Sequence, residues 1–356
     1  MTEDTTPVAP SVSVEISAAC ESWPLREVFN ISRGAKITAD VVVASIRDGD
    51  HCGQGECVPY ARYSETAEST CENIRALQSS IAQGQALTHD LISTQLPPGA
   101  ARNALDCALW DLTAKRTGQS VNRCIDRAFP QLSRQRPQGD APLQTCLTIS
   151  LAAPDRMAQK ARDVSPHKLL KLKLGDPDPN VDVARLKAVR KARPDARIVV
   201  DANEGWNTPD ALAMLLSVAE STGVELIEQP LPADQDGALA HISRTVRICA
   251  DEALPPDGDI SAIADRYDAV NIKLDKAGGL SAAIALLHAA RSHGLRVMIG
   301  SMVATSLSMA PAFRLAELGA DWIDLDSPLL LAEDRAHAMT IDPSGLMSPP
   351  TSALWG

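Results

Sequence analysis

The chain has 356 residues, more than one ordinary domain of ~100–200 residues requires and suited to a barrel of ~250 with an accessory domain. A hydrophobic fraction of 45% supplies a core without staples, and 34 basic against 45 acidic residues leave a net charge of −11. That balance argues against nucleic acid or an anionic membrane surface as a partner, because both require basic patches.

In chain order, the opening MTEDTTPVAPSVS is acidic with two prolines and reads as a frayed terminus, not a signal peptide. Residues 12–60 read as β-rich: SVSVEIS alternates strictly, and ITADVVVASIRD at 37–48 is dense in β-branched residues before a turn at Gly49. From Ala67 the pattern turns helical. ARNALDCALWDLTAKRTG (101–118) puts Ala104, Leu105, Ala108, Leu109 and Leu112 on one stripe and stops at Gly118, a natural helix cap. SRQRPQGDAP (133–142), rich in Gly, Pro and charge, is taken as a linker, which makes 1–142 the first domain.

Strand candidates follow at 145–151, 168–174, 197–202, 224–229, 246–251, 269–274, 296–301 and 320–325, with helices such as 183–192 and 280–294 between them. Eight strands with seven crossovers close naturally into a parallel barrel over 143–329. An open doubly wound sheet is the alternative, but no GxGxxG follows an early strand. The segment 330–356 carries no further βα unit and is expected to pack back on the first domain. Val297–Phe313, 17 residues without charge, falls short of the ~20 of a membrane span, so a soluble, cytoplasmic protein is expected. The eight cysteines have no repeating spacing and read as reduced thiols; Cys52 and Cys57 lack the second pair that a zinc site needs.

Five charged residues each end a short apolar run: Lys173, Asp201, Glu228, Asp251 and Lys273, spaced by 28, 27, 23 and 22 residues. Those intervals approach the ~30 of one βαβ unit. Strand alternation sends Leu170, Leu172 and Leu174 towards outer helices and Lys171 and Lys173 into the barrel. The same reasoning points Val199, Asp201 and Asn203 inward, then Asn271, Lys273 and Asp275, then Asp324 and Asp326. Barrel enzymes build their sites at the C-terminal ends of the strands, so these groups converge there.

Asp201, Glu228 and Asp251 offer only oxygen ligands, a set that suits Mg²⁺. None of the seven histidines falls at a strand end, which disfavours zinc. The lysines belong to the second and sixth strands and are expected to face each other across the metal. Repulsion from Lys171 and from Mg²⁺ is expected to lower the Lys173 pKa towards neutrality, making it a base. A substrate carboxylate on Mg²⁺ then loses its α-proton to one lysine as an enediolate and regains one from the other. Asp324 and Asp326, both expected to be ionised, suit a substrate ammonium.

KLKLG, VDANEGW, EQPL, CADE and NIKLDKAGG resemble the enolase superfamily, in its muconate-lactonizing subgroup, and more narrowly dipeptide epimerases acting on L-Ala-D/L-Glu. ESWPLREVFNISRG, GECVPYARYSET and PGAARNALDCALWDL extend the resemblance through the first domain. It implies a modified TIM barrel, (β/α)7β, with an α+β capping domain built from the N-terminal region and the C-terminal tail. It implies Lys173 and Lys273 as acid/base catalysts and Lys171 as an electrostatic partner near the substrate carboxylate. One Mg²⁺ per subunit is expected on Asp201, Glu228 and Asp251, with Asn203 and Glu252 supporting it. Asp324 and Asp326 are implied to hold the α-ammonium, and loops around Phe29–Lys36 and Tyr60–Tyr63 to set specificity. Lys36, Tyr60, Ser301 and Met302 are the further substrate-binding candidates, and a homo-oligomer is expected.

Two departures stand out: SRGAK places Lys36 where close relatives often carry an arginine, and GSMVATS places Ala304 where many carry a glutamate. The resulting expectation is Mg²⁺-dependent epimerisation of L-Ala-D-Glu and L-Ala-L-Glu in murein peptide recycling. Muconate cycloisomerase, o-succinylbenzoate synthase and N-acylamino acid racemase chemistry share the lysines and carboxylates but leave Asp324 and Asp326 without an ammonium. A non-catalytic metal-binding barrel has no use for two bases.

Overall fold

The computed structural model describes residues 14–31, 34–131, 140–206, 208–255 and 258–356. The expected frayed terminus, the start of SVSVEIS and most of the expected linker lie outside the described residues.

Three strands, β1 (Glu15–Ile31), β2 (Gly34–Asp48) and β3 (His51–Cys57), form an antiparallel sheet in that order. Gly49 makes the β2–β3 turn with φ 57°, a conformation that a residue without Cβ adopts freely. Four helices follow: α1 (Ala67–Ala82), α2 (His89–Gln95), α3 (Ala100–Thr117) and α4 (Val121–Ala128). The expected apolar stripe of α3 is buried throughout, and Gly118 caps the helix with φ 63°. β2 is apolar on both faces because it is covered on both. Val42, Ala44 and Ile46 pack with Ile74, Leu77 and Leu105 of the helices, while Val41 and Val43 join the larger core shared with the rest of the chain. β3 runs very close to α3: a Cβ on Gly55 would lie 2.2 Å from the Ala104 carbonyl oxygen, and one on Gly53 2.2 Å from that of Ala108.

After β4 (Leu143–Gln144) the rhythm becomes parallel strands and crossovers. The strands are β5 (Leu147–Ile149), β6 (Leu169–Lys173), β7 (Arg197–Asp201), β8 (Val224–Glu228), β9 (Arg247–Ala250), β10 (Ala269–Lys273), β11 (Arg296–Gly300) and β12 (Trp322–Asp324). They pair in sequence order in one sheet, and Cys146 N donates to Ile323 O at 2.7 Å, bringing first and last together as a barrel. Alternation does what the sequence predicts. Leu169, Val199, Leu226, Cys249, Ala269, Met298 and Trp322 fill the interior, while Leu170, Leu172, Ile198, Val200, Val270 and Ile272 face the helical layer.

That layer comprises α5 (Pro154–Asp163), α6 (Pro179–Ala192), α7 (Pro209–Ser221), the short α8 (Leu274–Ala277), α9 (Leu280–Ser292) and α10 (Ser306–Ala316). The β8–β9 and β9–β10 crossovers carry single 3₁₀ turns, Asp236–Ala240 and Ile260–Ala262, in place of α-helices among the described residues. Pro230, Pro232, Gly237, Pro255 and Gly258 explain this, since each interrupts or weakens an α-helical run.

The chain ends with α11 (Ser327–Leu330) and β13 (Leu346–Met347), which pairs with β4. The tail touches the first sheet and its helices. Ala332 N donates to Pro24 O at 2.8 Å, Arg335 reaches Glu21 and Glu56, and Trp355 Nε1 donates to Cys107 O at 3.2 Å. α9 is fastened to α3 by His89, Asp106 and Ser281. His89 Nδ1 lies 2.6 Å from Asp106 Oδ1 and 3.3 Å from Ser281 Oγ. One ring nitrogen faces both partners, so the ring cannot relay a proton between them as a hydrolase triad does.

Candidate active site

A cavity of about 270 Å³ opens at the C-terminal ends of the barrel strands, under the first sheet and its loops. Lys171 and Lys173 enter it from β6 and Lys273 from β10. In the ring of eight, β6 and β10 are separated by β7–β9 on one side and by β11, β12 and β5 on the other, so the lysines approach from opposite walls. Asp201, Glu228 and Asp251 stand between them at the ends of β7, β8 and just beyond β9. Asp201 and Glu228 are paired in register. Both lie beneath the cavity floor, fully buried, while Asp251 reaches its wall.

The ammonium groups are drawn onto these carboxylates. Lys171 Nζ lies 2.6 Å from Asp324 Oδ2, 2.6 Å from Glu228 Oε2 and 3.2 Å from Asp201 Oδ2. Lys173 Nζ lies 2.6 Å from Asp201 Oδ2, and Lys273 Nζ 2.7 Å from Asp251 Oδ2. Around Lys171 and Lys273 the surroundings favour the charged form. Burial works against the charge of Lys171 and Lys273, but Asp324, Glu228 and Asp201 around the first, and Asp251 and Glu228 around the second, outweigh it. Both ammoniums are therefore held above their ordinary range. In turn, against the cost of burial, Lys173 and Lys171 hold Asp201 below the usual carboxylate range, and Lys273 and Lys276 do the same for Asp251.

Placed this way, each carboxylate answers to an amine, and no three His, Cys, Asp or Glu side chains among the described residues are grouped to hold an ion. The donor set nonetheless fits Mg²⁺: three oxygen-only ligands, enclosed and on neighbouring strands. Glu228 is pushed up to about 7 by burial and by the charges of Asp201 and Asp251, a crowding that a divalent cation relieves. Asn271 Nδ2 steadies Glu228 at 2.7 Å, and Gln229 Oε1 takes the backbone N–H of Asp251 at 2.9 Å.

On the β12 side Asp324 and Asp326 both line the cavity. Asp326 accepts from Thr148 N at 2.5 Å, and one oxygen of Asp324, Oδ1, is buried without a hydrogen-bond partner among the described residues. The surroundings of Asp326 make its carboxyl harder to ionise. Burial, then the neighbouring charge of Asp324, push it up to about 7.

The remaining candidates gather at the same cavity: Asn203, Glu252, Lys36, Tyr60, Ser301 and Met302. Lys36 stands opposite Phe29 in the β1–β2 register, so the described part of that expected loop is the end of a hairpin. Its Nζ sits 5.7 Å from the Tyr60 ring centre. Asp275 is not in the barrel. β10 stops at Lys273, and α8 turns Asp275 to accept from Val58 N at 3.0 Å and Asn103 Nδ2 at 2.8 Å, beneath the first sheet. Ala304 is buried and exchanges hydrogen bonds with the Ser327 hydroxyl. Lys276 was missed by sequence reasoning. The turn of α8 carries it back to the cavity, where Nζ lies 2.5 Å from Asp251 Oδ1. Its only signal was its place three residues after Lys273.

The chain matches the mandelate racemase/muconate lactonizing enzyme N-terminal domain over residues 13–125 and the enolase C-terminal domain-like family over 155–351. It belongs to the enolase superfamily. It is 40% identical over 321 residues to an L-Ala-D/L-Glu epimerase of Escherichia coli K12, covering 90% of this chain and 95% of that one. It is 39% identical to an N-acetyl-D-glutamate racemase of a Pseudoalteromonas species, covering 89% and 95%. A crystal structure of an enolase family member from Agrobacterium tumefaciens, with homology to dipeptide epimerases and holding sodium and L-Ala-L-Glu, superposes with a TM-score of 0.89. That protein is 45% identical, and the match covers 96% of this chain and all of the other. In keeping with these relatives, the superfamily member described here is an isomerase.

Proposed function

We propose that this enzyme epimerises dipeptides at the α-carbon of the second residue, with L-Ala-D-Glu and L-Ala-L-Glu as the substrate pair, by proton transfer between two lysines. The observation that carries the reading is the placement of Lys173 and Lys273 on opposite walls of one cavity, with three carboxylates between them. As a neutral amine, one lysine removes the α-proton. The electron pair left on carbon spreads into the substrate carboxylate as an enediolate, and the opposite ammonium returns a proton to the other face. Mg²⁺ on Asp201, Glu228 and Asp251, one per subunit, would supply the positive charge that makes the α-proton acidic. Lys171, between the carboxylates of three strands, adds fixed positive charge beside the substrate carboxylate.

Asp324 and Asp326 support a free α-ammonium at the amino end of the substrate. Lys36 supports an acidic side chain on the second residue as a point charge, without the two-armed geometry of arginine. These features fit recycling of murein peptides. The 39% identity to an N-acetylglutamate racemase favours one rival, in which the amino group is acylated and the aspartate pair has no cation to hold.

The deciding experiment incubates the enzyme with L-Ala-L-Glu or N-acetyl-L-glutamate in deuterated buffer containing Mg²⁺. Deuterium is expected at the glutamate α-carbon of the dipeptide, slower or absent for the acylated amino acid and lost after chelation of the metal, while Lys173→Ala abolishes the accompanying inversion. Absence of label in the dipeptide rejects the proposal, and faster labelling of the acylated compound transfers it to the rival.

A further inference from the structure

Beside the cavity, one side-chain pair joins the first domain to the mouth of the barrel. Arg62 sits in the 3₁₀ turn Ala61–Tyr63, flanked by Tyr60 and Tyr63, which both line the cavity. Its guanidinium meets Glu204 in two parallel bonds, Nη1 to Oε2 at 2.5 Å and Nη2 to Oε1 at 2.8 Å. This is the planar fork that makes arginine–carboxylate pairs directional. Glu204 follows the cavity-lining Asn203, and both adopt left-handed backbone angles, φ 67° and 43°. Such angles cost an L-residue and persist where the surroundings impose them. Here Glu204 N donates to Gln229 O at 2.8 Å, and Glu204 Oε1 also accepts from Ala233 N at 3.0 Å. The carboxylate is thus a fixed post on the barrel.

The loop that carries Arg62 is tied at both ends. Val58 N donates to Asp275, and Glu65 accepts from Tyr60 N at 3.1 Å and from Ala100 N at 2.7 Å. Those bonds fix where the loop leaves and rejoins the domain, and Arg62 fixes where its tip rests. We propose that Arg62 and Glu204 form a latch that holds the Tyr60–Tyr63 turn over the barrel mouth, with Arg62 as a positioning residue that slows substrate escape. The latch rests on the epimerase reading only for the identity of what the turn covers. Its side chains are 32% and 13% exposed, so salt weakens it without abolishing it.

The test uses the full chain without substrate and reads amide hydrogen exchange in 58–66, alongside KM and kcat for L-Ala-L-Glu. Arg62→Ala and Glu204→Gln are each expected to speed exchange in that segment and to raise KM on the order of three- to tenfold, with kcat changed far less. The double variant is expected to fall clearly short of the sum of the two single effects, because both remove the same contact. Arg62→Lys restores part of the effect. Arg197→Ala, which breaks the Arg197–Glu225 pair at the other end of the strands, leaves 58–66 unchanged. Unaltered exchange in both single variants, or effects that simply add, overturns the latch. A wild-type enzyme inactive on the dipeptide but showing the coupled exchange retains the latch and removes the epimerase reading.

Discussion

Asp326, which the proposed function assigns to the substrate ammonium, shows how burial shifts the range over which a carboxyl ionises. Its carboxyl ordinarily titrates near 3.8 and here is pushed up to about 7, first by burial and then by Asp324. A raised carboxyl binds its proton more tightly in the folded chain, so its contribution to stability declines as pH climbs from its ordinary value through about 7. Binding has the opposite sign, since a substrate ammonium favours the ionised form. On that reading, KM for the dipeptide is expected to fall by up to about tenfold per unit as pH rises towards 7, then level off. Asp326→Asn is expected to raise KM and to flatten that limb; a limb of unchanged steepness in the variant would assign it to another group. At this scale the sequence was legible where one rule sufficed. Period two placed Lys171, Lys173, Asp201 and Lys273, but extended past Lys273 it misplaced Asp275, because the chain had already entered α8. The charge state of Lys171 was not legible, since its carboxylate partners come from β7, β8 and β12.

Among the elements, the contact of β3 with α3 is the least forgiving. Gly53 and Gly55 let the strand backbone lie against helix carbonyls, and no flexible side-chain tip stands there to move aside. Gly55→Ala is expected to destabilise the fold by about 3 kcal/mol or more, as overpacking against fixed backbone does. A thermal melt would show it as a clear drop in Tm, and an unchanged midpoint would mean that strand and helix can separate cheaply. The eight strands were readable from the sequence to within a few residues, and so were the helices α3, α6 and α9. The two 3₁₀ crossovers were not set apart from their helical neighbours, although proline and glycine in both segments carried the signal. What sequence period cannot supply is which surface an element meets, and Gly55 is intelligible only once α3 is in place.

Across the whole molecule, Arg335 ties the tail, the first sheet and the barrel together. Fully buried Glu56 accepts from Thr305 N at 2.7 Å and from Arg335 Nη2 at 2.6 Å, and the same guanidinium reaches Glu21 and lies over Trp23. Arg335→Ala leaves an enclosed carboxylate without its counter-charge and is expected to cost about 3–5 kcal/mol, measured by chemical denaturation. Adding Glu56→Gln is expected to recover part of the loss. A single variant as stable as wild type would show that Thr305 alone satisfies Glu56. The partners are 279 residues apart along the chain, so no local pattern announces them. The barrel has a broader consequence. On the proposed two-lysine reading, amines set diametrically apart in a ring would give the chemistry no preferred hand: either configuration that enters could leave as the other. Such a catalyst would only level a pair of diastereomers, leaving net flow to whichever later reaction drains one of them.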